Sequence, residues 1–355
     1  MPPRQKMLEI MTDSNNKRPT LLVVGAGGFI GGFICKEGLR RGFDVYAAVR
    51  ESTSRRYLDS PEIKFVVLDY DNPDSIGISL RDSAPDHSGW DYIIYNLGAT
   101  KALNFSDFNL VNYLYLRNFV AGLEEEGLMP KKFLFMSSLS ALGPSDEKDY
   151  TPITSGTIPN PNTRYGLSKI KAETFLETSP AIPWIIFRPT GVYGPHEKDY
   201  LMMVKCIDRH FDFGVGFRPQ MLTFIYVEDL VGAMFDALAS DRTLHRKYII
   251  SEPRAYTQKD FRQIVKKALG TRCVIPVKLP LWAAYIASYV AEQIGNWTLK
   301  PSTLNRDKFK IMKQRNWNCS VDDAVRDFGF KVNYPLERGV EEIVKAYIAE
   351  KKHEK

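Results

Sequence analysis

Tyr165 and Lys169, in Tyr-Gly-Leu-Ser-Lys, carry the clearest chemistry in this chain. On a helix, side chains four apart share a face, so phenol and ammonium point the same way. A free tyrosine has a pKa of about 10 and is a poor acid or base near neutral pH. A nearby cation favours the phenolate, and reaching a pKa near 7 requires roughly 4 kcal/mol of preferential stabilisation. Such a pair can move a proton to or from a hydroxyl or carbonyl oxygen. Upstream, Phe133-Leu-Phe-Met-Ser-Ser138 is an apolar run that ends in hydroxyls. A serine there can hold the reacting oxygen beside the phenol. Ser137, Ser138 and Ser140 compete for that role, and Ser138 precedes Tyr165 by 165 − 138 = 27 residues.

A second constellation lies near the N-terminus. Residues 25–31 read Gly-Ala-Gly-Gly-Phe-Ile-Gly. Gly25, Gly28 and Gly31 permit a tight turn, a close backbone approach and helix-on-strand packing, while Phe29 and Ile30 open the helix. The free N–H groups of that helix suit a dinucleotide pyrophosphate. The end of the second strand then reads on the ribose. NAD sites usually place a carboxylate there, but this chain has Val49 and then Arg50, with Ser54, Arg55 and Arg56 behind. Cations and hydroxyls suit a 2′-phosphate, so the expected cofactor is NADP. NAD remains the alternative, since Glu51 can reach back to a ribose. Asp69 is placed to accept from an adenine amino group, with Tyr70 alongside the ring. Leu97, Gly98 and Ala99 follow the fourth strand, where small residues admit the cofactor.

These residues sit at the ends of short apolar runs. Strands are expected over 19–24, 44–49, 63–68, 92–96, 132–137 and 184–188. Helices are expected up to about 41 and over 105–127 and 163–178. Such alternation predicts an α/β fold, a Rossmann-type doubly wound parallel sheet. After Pro195 a helix over 198–211, a strand over 221–227, a helix from about 228 and a sheet strand over 247–250 are expected. The remainder reads as mostly helical. Residues 1–18 are read as a mobile tail. A dinucleotide-binding domain takes 19–195 plus about 225–252. A smaller, mostly helical substrate lobe takes about 196–224 plus 253–350.

Composition narrows the class. The 355 residues are 44% hydrophobic and 25% charged, which are ordinary globular values. A net charge of +6 is mild for this length, and nucleic acid is not the expected partner. The cysteines are far apart with no C-x-x-C pair, so a zinc ribbon or thioredoxin-type site is excluded and no metal is expected. Absent a disulfide framework or an export signal, a cytoplasmic location is expected.

Taken together, G-A-G-G-F-I-G, the Asp-Tyr after the third strand, M-S-S-L-S-A-L-G, Y-G-L-S-K, R-P-T-G-V-Y-G-P at 188–195 and F-I-Y-V-E-D-L at 224–230 resemble the extended short-chain dehydrogenases/reductases. The branch is that of epimerases/dehydratases and 3β-hydroxysteroid dehydrogenases. The resemblance covers about 20–350. It implies that Ser138 orients the reacting oxygen, Tyr165 transfers the proton, and Lys169 lowers the tyrosine pKa and binds the nicotinamide ribose. It also implies that Asn112 belongs to an active-site relay, that Pro189 and Val192 lie near the nicotinamide, and that a helix pair makes a homodimer.

Departures from the family pattern bear on substrate. Nucleotide-sugar members typically carry an asparagine where this chain has Gly191. They tend to have arginine and aspartate where it has Leu222 and Thr223. The expected activity is therefore reduction of a ketone to a secondary alcohol, or the reverse, on an apolar sterol-like or 3-keto long-chain-base substrate. The alternative is a nucleotide-sugar epimerase or dehydratase. Residues 279–291 are uncharged with helical apolar spacing. They are too short to span a bilayer. A buried face, a substrate lid and a peripheral membrane patch are the three readings.

Overall fold

The computed structural model describes residues 17–353, so the expected tail lies almost wholly outside the described residues. Seven apolar runs form one sheet: β1 (Thr20–Val24), β2 (Asp44–Val49), β3 (Lys64–Val67), β4 (Tyr92–Tyr95), β5 (Lys132–Met136), β6 (Trp184–Pro189) and β11 (Arg246–Ile250). Their order is β11-β6-β5-β4-β1-β2-β3, and every pairing is parallel. Parallel strands covered on both faces are apolar throughout, and β1 is buried at every position. Chain direction across the sheet reverses between β1 and β4, which opens a crevice at their carboxyl ends. This is the expected Rossmann-type fold.

One face is covered by α1 (Phe29–Arg40) and α7 (Val227–Ala239). The other is covered by α2 (Pro73–Ser83), α4 (Tyr115–Glu125) and α5 (Arg164–Thr178). A third apolar cluster joins α6 (Lys198–Asp208), α8 (Gln258–Leu269) and α12 (Leu336–His353), with Phe224, Phe261 and Leu336 at its centre.

Several boundaries differ from the sequence expectations. The helix expected over 105–127 is three pieces: α3 (Phe105–Asn109), a π-helical turn (Leu110–Leu114) and α4. The helix expected over 198–211 stops at Asp208. Phe211–Val215 forms β8 instead and pairs in parallel with β13 (Ile275–Leu279). The strand expected over 221–227 divides. Met221–Leu222 (β9) pairs with β12 (Tyr256–Thr257), and Phe224–Tyr226 (β10) pairs with β7 (Gly191–Tyr193). Thr223 breaks the run because its hydroxyl donates inward to the Trp317 carbonyl at 2.7 Å. The expected substrate-lobe segment 253–350 also returns to the sheet. Within it, α11 (Asp322–Phe328) adds Ala324 and Phe328 to the large core, with Phe328 stacked 5.9 Å from Phe187. The uncharged run 279–291 lies in β13 and α9 (Leu281–Trp297), followed by α10 (Arg306–Lys313).

Candidate active site

Helix α5 starts where Thr163 caps it, its hydroxyl accepting from the Gly166 N–H at 3.0 Å. From there Tyr165, Lys169 and Glu173 follow at successive fourth positions. The Lys169 ammonium donates to the Met136 carbonyl at the end of β5 at 2.8 Å and lies 5.0 Å from the Phe135 ring centre. Burial pushes its pKa down to about 8, opposed by the Glu173 carboxylate. The Tyr165 hydroxyl is pushed up to about 12 by burial, while a hydrogen bond with Ser138 pulls it the other way.

The structure separates the three competing serines. Ser137 donates to Glu173, whose carboxylate also takes the Arg188 Nε at 3.1 Å in a fully buried ion pair. It is therefore committed to the interior. Ser140 contributes a backbone N–H to the Ser138 hydroxyl at 3.2 Å. Of the three, Ser138 is the one that lowers the Tyr165 pKa. Glu173 was missed in the sequence, where a four-residue step from Lys169 reads equally as an ordinary exposed helix pair.

Asn112 lies in the π-helical turn and is fully buried. Its Oδ1 accepts from the Ala99 N–H at 2.8 Å. Its Nδ2 donates to the Ala99 carbonyl at 3.1 Å and to the Ser168 hydroxyl at 2.9 Å. It thus ties the loop after β4 to α5, which makes it a positioning residue. Gly98 fills the gap between them. A Cβ there would stand 2.9 Å from the Lys169 ammonium and 3.1 Å from Asn112 Oδ1.

The glycine loop tests whether a dinucleotide fits. Gly25 has φ +81°, and a Cβ on it would meet the Leu97 nitrogen at 2.7 Å. A Cβ on Gly31 would meet the Gly25 carbonyl at 2.3 Å. Both glycines are demanded by the protein itself. At Gly28 a Cβ would meet only the Gly25 carbonyl, at an ordinary 3.5 Å. The fold leaves that space open at the start of α1, where a pyrophosphate would need it. Phe29 and Ile30 pack against the large core and hold the helix start in place. Arg50 is exposed at the end of β2 and acts electrostatically on Tyr70 and Tyr115. Arg55 and Arg56 are turned onto the rings of Phe65 and Tyr57 at 4.2 and 4.3 Å. Asp69 is exposed and accepts from the Asp71 N–H at 3.1 Å. Tyr70 does not lie open beside a ring site as expected. It is buried against Tyr115 at 5.3 Å because its ring completes the core under α4. Leu97 packs on that same core. Pro189 ends β6, and Val192 leans on the core from β7.

The substrate side has its own arrangement. A Cβ on Gly191 would fall 1.9 Å from the Tyr200 hydroxyl, so Tyr200 occupies the place of a side chain at 191. Leu222 pairs with Tyr256, and Thr223 is buried. Asp199, at the start of α6, holds Lys101 at 3.0 Å and Lys308 at 3.1 Å. That bridge links the loop after β4 to α10. Arg164, next to Tyr165, reaches Glu292 of α9 at 3.0 Å and Asp307 of α10 at 3.2 Å. Sequence reading singled out neither bridge.

Residues 21–251 match the NAD dependent epimerase/dehydratase family. The uncharacterized UDP-glucose epimerase YtcB of Bacillus subtilis (strain 168) is 26% identical over 235 residues, which is 59% of this chain and 70% of that protein. The structure of the epimerase Mth375 from Methanothermobacter thermautotrophicus superposes with a TM-score of 0.77 at 14% identity, covering 99% of this chain and 96% of that one. The UDP-glucose 4-epimerase of Thermotoga maritima, solved with UDP-glucose, gives 0.73 at 18% identity over 93% and 99%. At these identities the structures establish likeness of fold. Between the two activities read from the sequence, these findings lie nearer the nucleotide-sugar alternative than the sterol-like ketone.

Proposed function

Since the chain belongs to the NAD dependent epimerase/dehydratase family, we propose that it oxidises a secondary alcohol carbon of a nucleotide-activated sugar and returns the hydride to the same sugar, at that carbon as an epimerase or, after loss of water, at another carbon as a dehydratase. The observation that carries this reading is Tyr165 and Lys169 one turn apart on α5, with the Lys169 ammonium bonded to the Met136 carbonyl at the end of β5 and Ser138 lowering the phenol's pKa. Bound nicotinamide supplies the hydride acceptor and donor. The chain's own residues do the rest. Ser138 holds the carbinol oxygen, Tyr165 Oη takes and returns its proton, and the Lys169 ammonium favours the phenolate. Asn112 and Gly98 fix the loop against which Lys169 packs. Gly25, Gly28 and Gly31 seat the pyrophosphate. Val49 in place of a carboxylate, followed by Arg50, supports NADP over NAD.

A second reading, an NADP-dependent reductase of an apolar ketone, is favoured by one group of observations. Tyr200 fills the side-chain space at Gly191, and Leu222 and Thr223 offer no charge to a diphosphate. One experiment separates the two. Purified protein is incubated with UDP-glucose, UDP-glucuronic acid and dTDP-glucose, and separately with NADPH and a panel of steroid and 3-keto long-chain-base ketones. Sugar conversion without net consumption of added cofactor supports the first reading. Ketone-dependent NADPH oxidation with no binding of any nucleotide sugar supports the second. In either case Tyr165→Phe is expected to lower turnover about 10²-fold or more. Full activity in that variant would sink the mechanism.

A further inference from the structure

Helix α9 is packed the wrong way round for a helix of a water-soluble surface. Its inward positions are Ala284, Ser288, Glu292 and Gly295, all small or charged. Its outward positions include Trp282, Tyr285, Ile286, Tyr289, Ile294 and Trp297, with Trp282 70% and Trp297 86% exposed. The one charged side chain of the helix, Glu292, is turned inward and held by Arg164 and Arg306, so the outer face carries no charge. A surface helix normally shows the reverse.

The apolar face continues into the ribbon that leads to α9. Strands β8 and β13 pair Phe211 with Ile275 and Val215 with Leu279, and alternate residues share a face. Phe211, Phe213, Ile275 and Leu279 are all exposed, the two phenylalanines stacked 6.0 Å apart. Gly216 brings the ribbon to the start of α9, where a Cβ would touch Leu281 at 3.4 Å. Contiguous apolar surface of this extent marks an interaction site.

We propose that α9 and the β8–β13 ribbon form a docking surface for an anionic lipid bilayer, with α9 lying in the plane of the interface. Charge selects this occupant. Exposed cations flank each apolar stretch: Arg209 before β8, Arg218 after Phe217, Arg272 before β13 and Lys300 after Leu299. From Phe261 to Lys300 the sequence holds six cations and one acid, and that acid is the buried Glu292. A second copy seated symmetrically would set this cationic rim against itself. Anionic headgroups complement it. Tryptophan and tyrosine with a basic border are the composition of interfacial helices. The helix is 17 residues, and no helix among the described residues is long and apolar enough to cross a membrane. It is therefore suited to lie on a bilayer and not to span one. The proposal is independent of the substrate assigned above.

The test uses the full chain with sedimented vesicles, either phosphatidylcholine alone or phosphatidylcholine with phosphatidylglycerol. The protein is expected to pellet with the anionic vesicles, less so at high salt, and its tryptophan emission is expected to shift blue. Ile286→Glu combined with Ile294→Glu keeps both tryptophans as reporters and is expected to weaken partition about tenfold or more. Its thermal unfolding and turnover of soluble substrate should match the parent. Three results would overturn the proposal. One is no partition onto either vesicle. Another is undiminished partition in the variant. The third is a dimer, seen by analytical ultracentrifugation, that the variant dissociates while vesicles bind neither protein.

Discussion

Lys169 would serve the proposed chemistry as a cation, and its buried place disfavours one. Its folded pKa of about 8 lies below the ordinary 10.5, so between those values the unfolded chain holds more protons than the folded one. Stability therefore climbs as pH rises from about 8 to 10.5, and the full burial penalty is present below 8. Lys169→Met is expected to abolish turnover yet stabilise the ligand-free protein by roughly 1–3 kcal/mol at pH 7. Thermal melts at pH 7 and pH 10 check this, because the gain should shrink at the higher pH. Ser138→Ala has the opposite character. It removes a group that lowers the Tyr165 pKa, so the tyrosine pKa rises further. The pH–rate profile for alcohol oxidation should move to higher pH, with turnover down about 10²-fold. Glu173 was hidden because no single residue type announces it. Only its burial with Arg188 and Ser137 reveals a pair whose loss in Glu173→Gln should cost about 3–5 kcal/mol in urea unfolding.

At the scale of elements, the turn from β1 into α1 was the most legible part of the site. Its glycines act on neighbours a few residues away, so spacing alone implies their jobs. The structure divides those jobs in a way spacing could not. Gly31→Ala would drive a Cβ into backbone at 2.3 Å and should lower the melting temperature markedly. Gly28→Ala meets no such obstacle and should leave melting nearly unchanged while weakening nicotinamide dinucleotide affinity about tenfold or more. Calorimetric titration and melting of the two variants separate the roles. The break of 105–127 at a π-helical turn was not legible. All its residues suit a continuous helix, and the turn persists because Asn112 is bonded to Ala99 and Ser168, elements remote in sequence.

Across the whole molecule, the smaller lobe is tied to the sheet by charge. Asp199 joins Lys101 and Lys308, and Arg164 joins Glu292 and Asp307. The Asp199 bridges are partly exposed, so Asp199→Asn should change stability by about 1 kcal/mol or less. It should still raise the KM for substrate, because α6, α10 and the loop after β4 lose their common anchor. Steady-state kinetics beside a melting curve tests this, and an unchanged KM would count against the bridge as an organiser of the cleft.

The amino-acid sequence alone determined what local physics controls. The alternation of apolar runs dictates a parallel sheet, glycine spacing dictates the tight turn from β1 into α1, and the four-residue step from Tyr165 to Lys169 places both on one helix face. Tertiary structure decided everything that depends on which remote surface arrives opposite a residue. It turned Tyr70 inward, committed Ser137 to Glu173, put Tyr200 in the space of Gly191 and returned α11 to the large core. It also decided α9. Its apolar spacing reads equally as a buried stripe or an exposed one, because periodicity records that a helix has a face but not what lies opposite. Only the packing of Ala284, Ser288 and Gly295 inward shows that its large apolar side chains point to solvent.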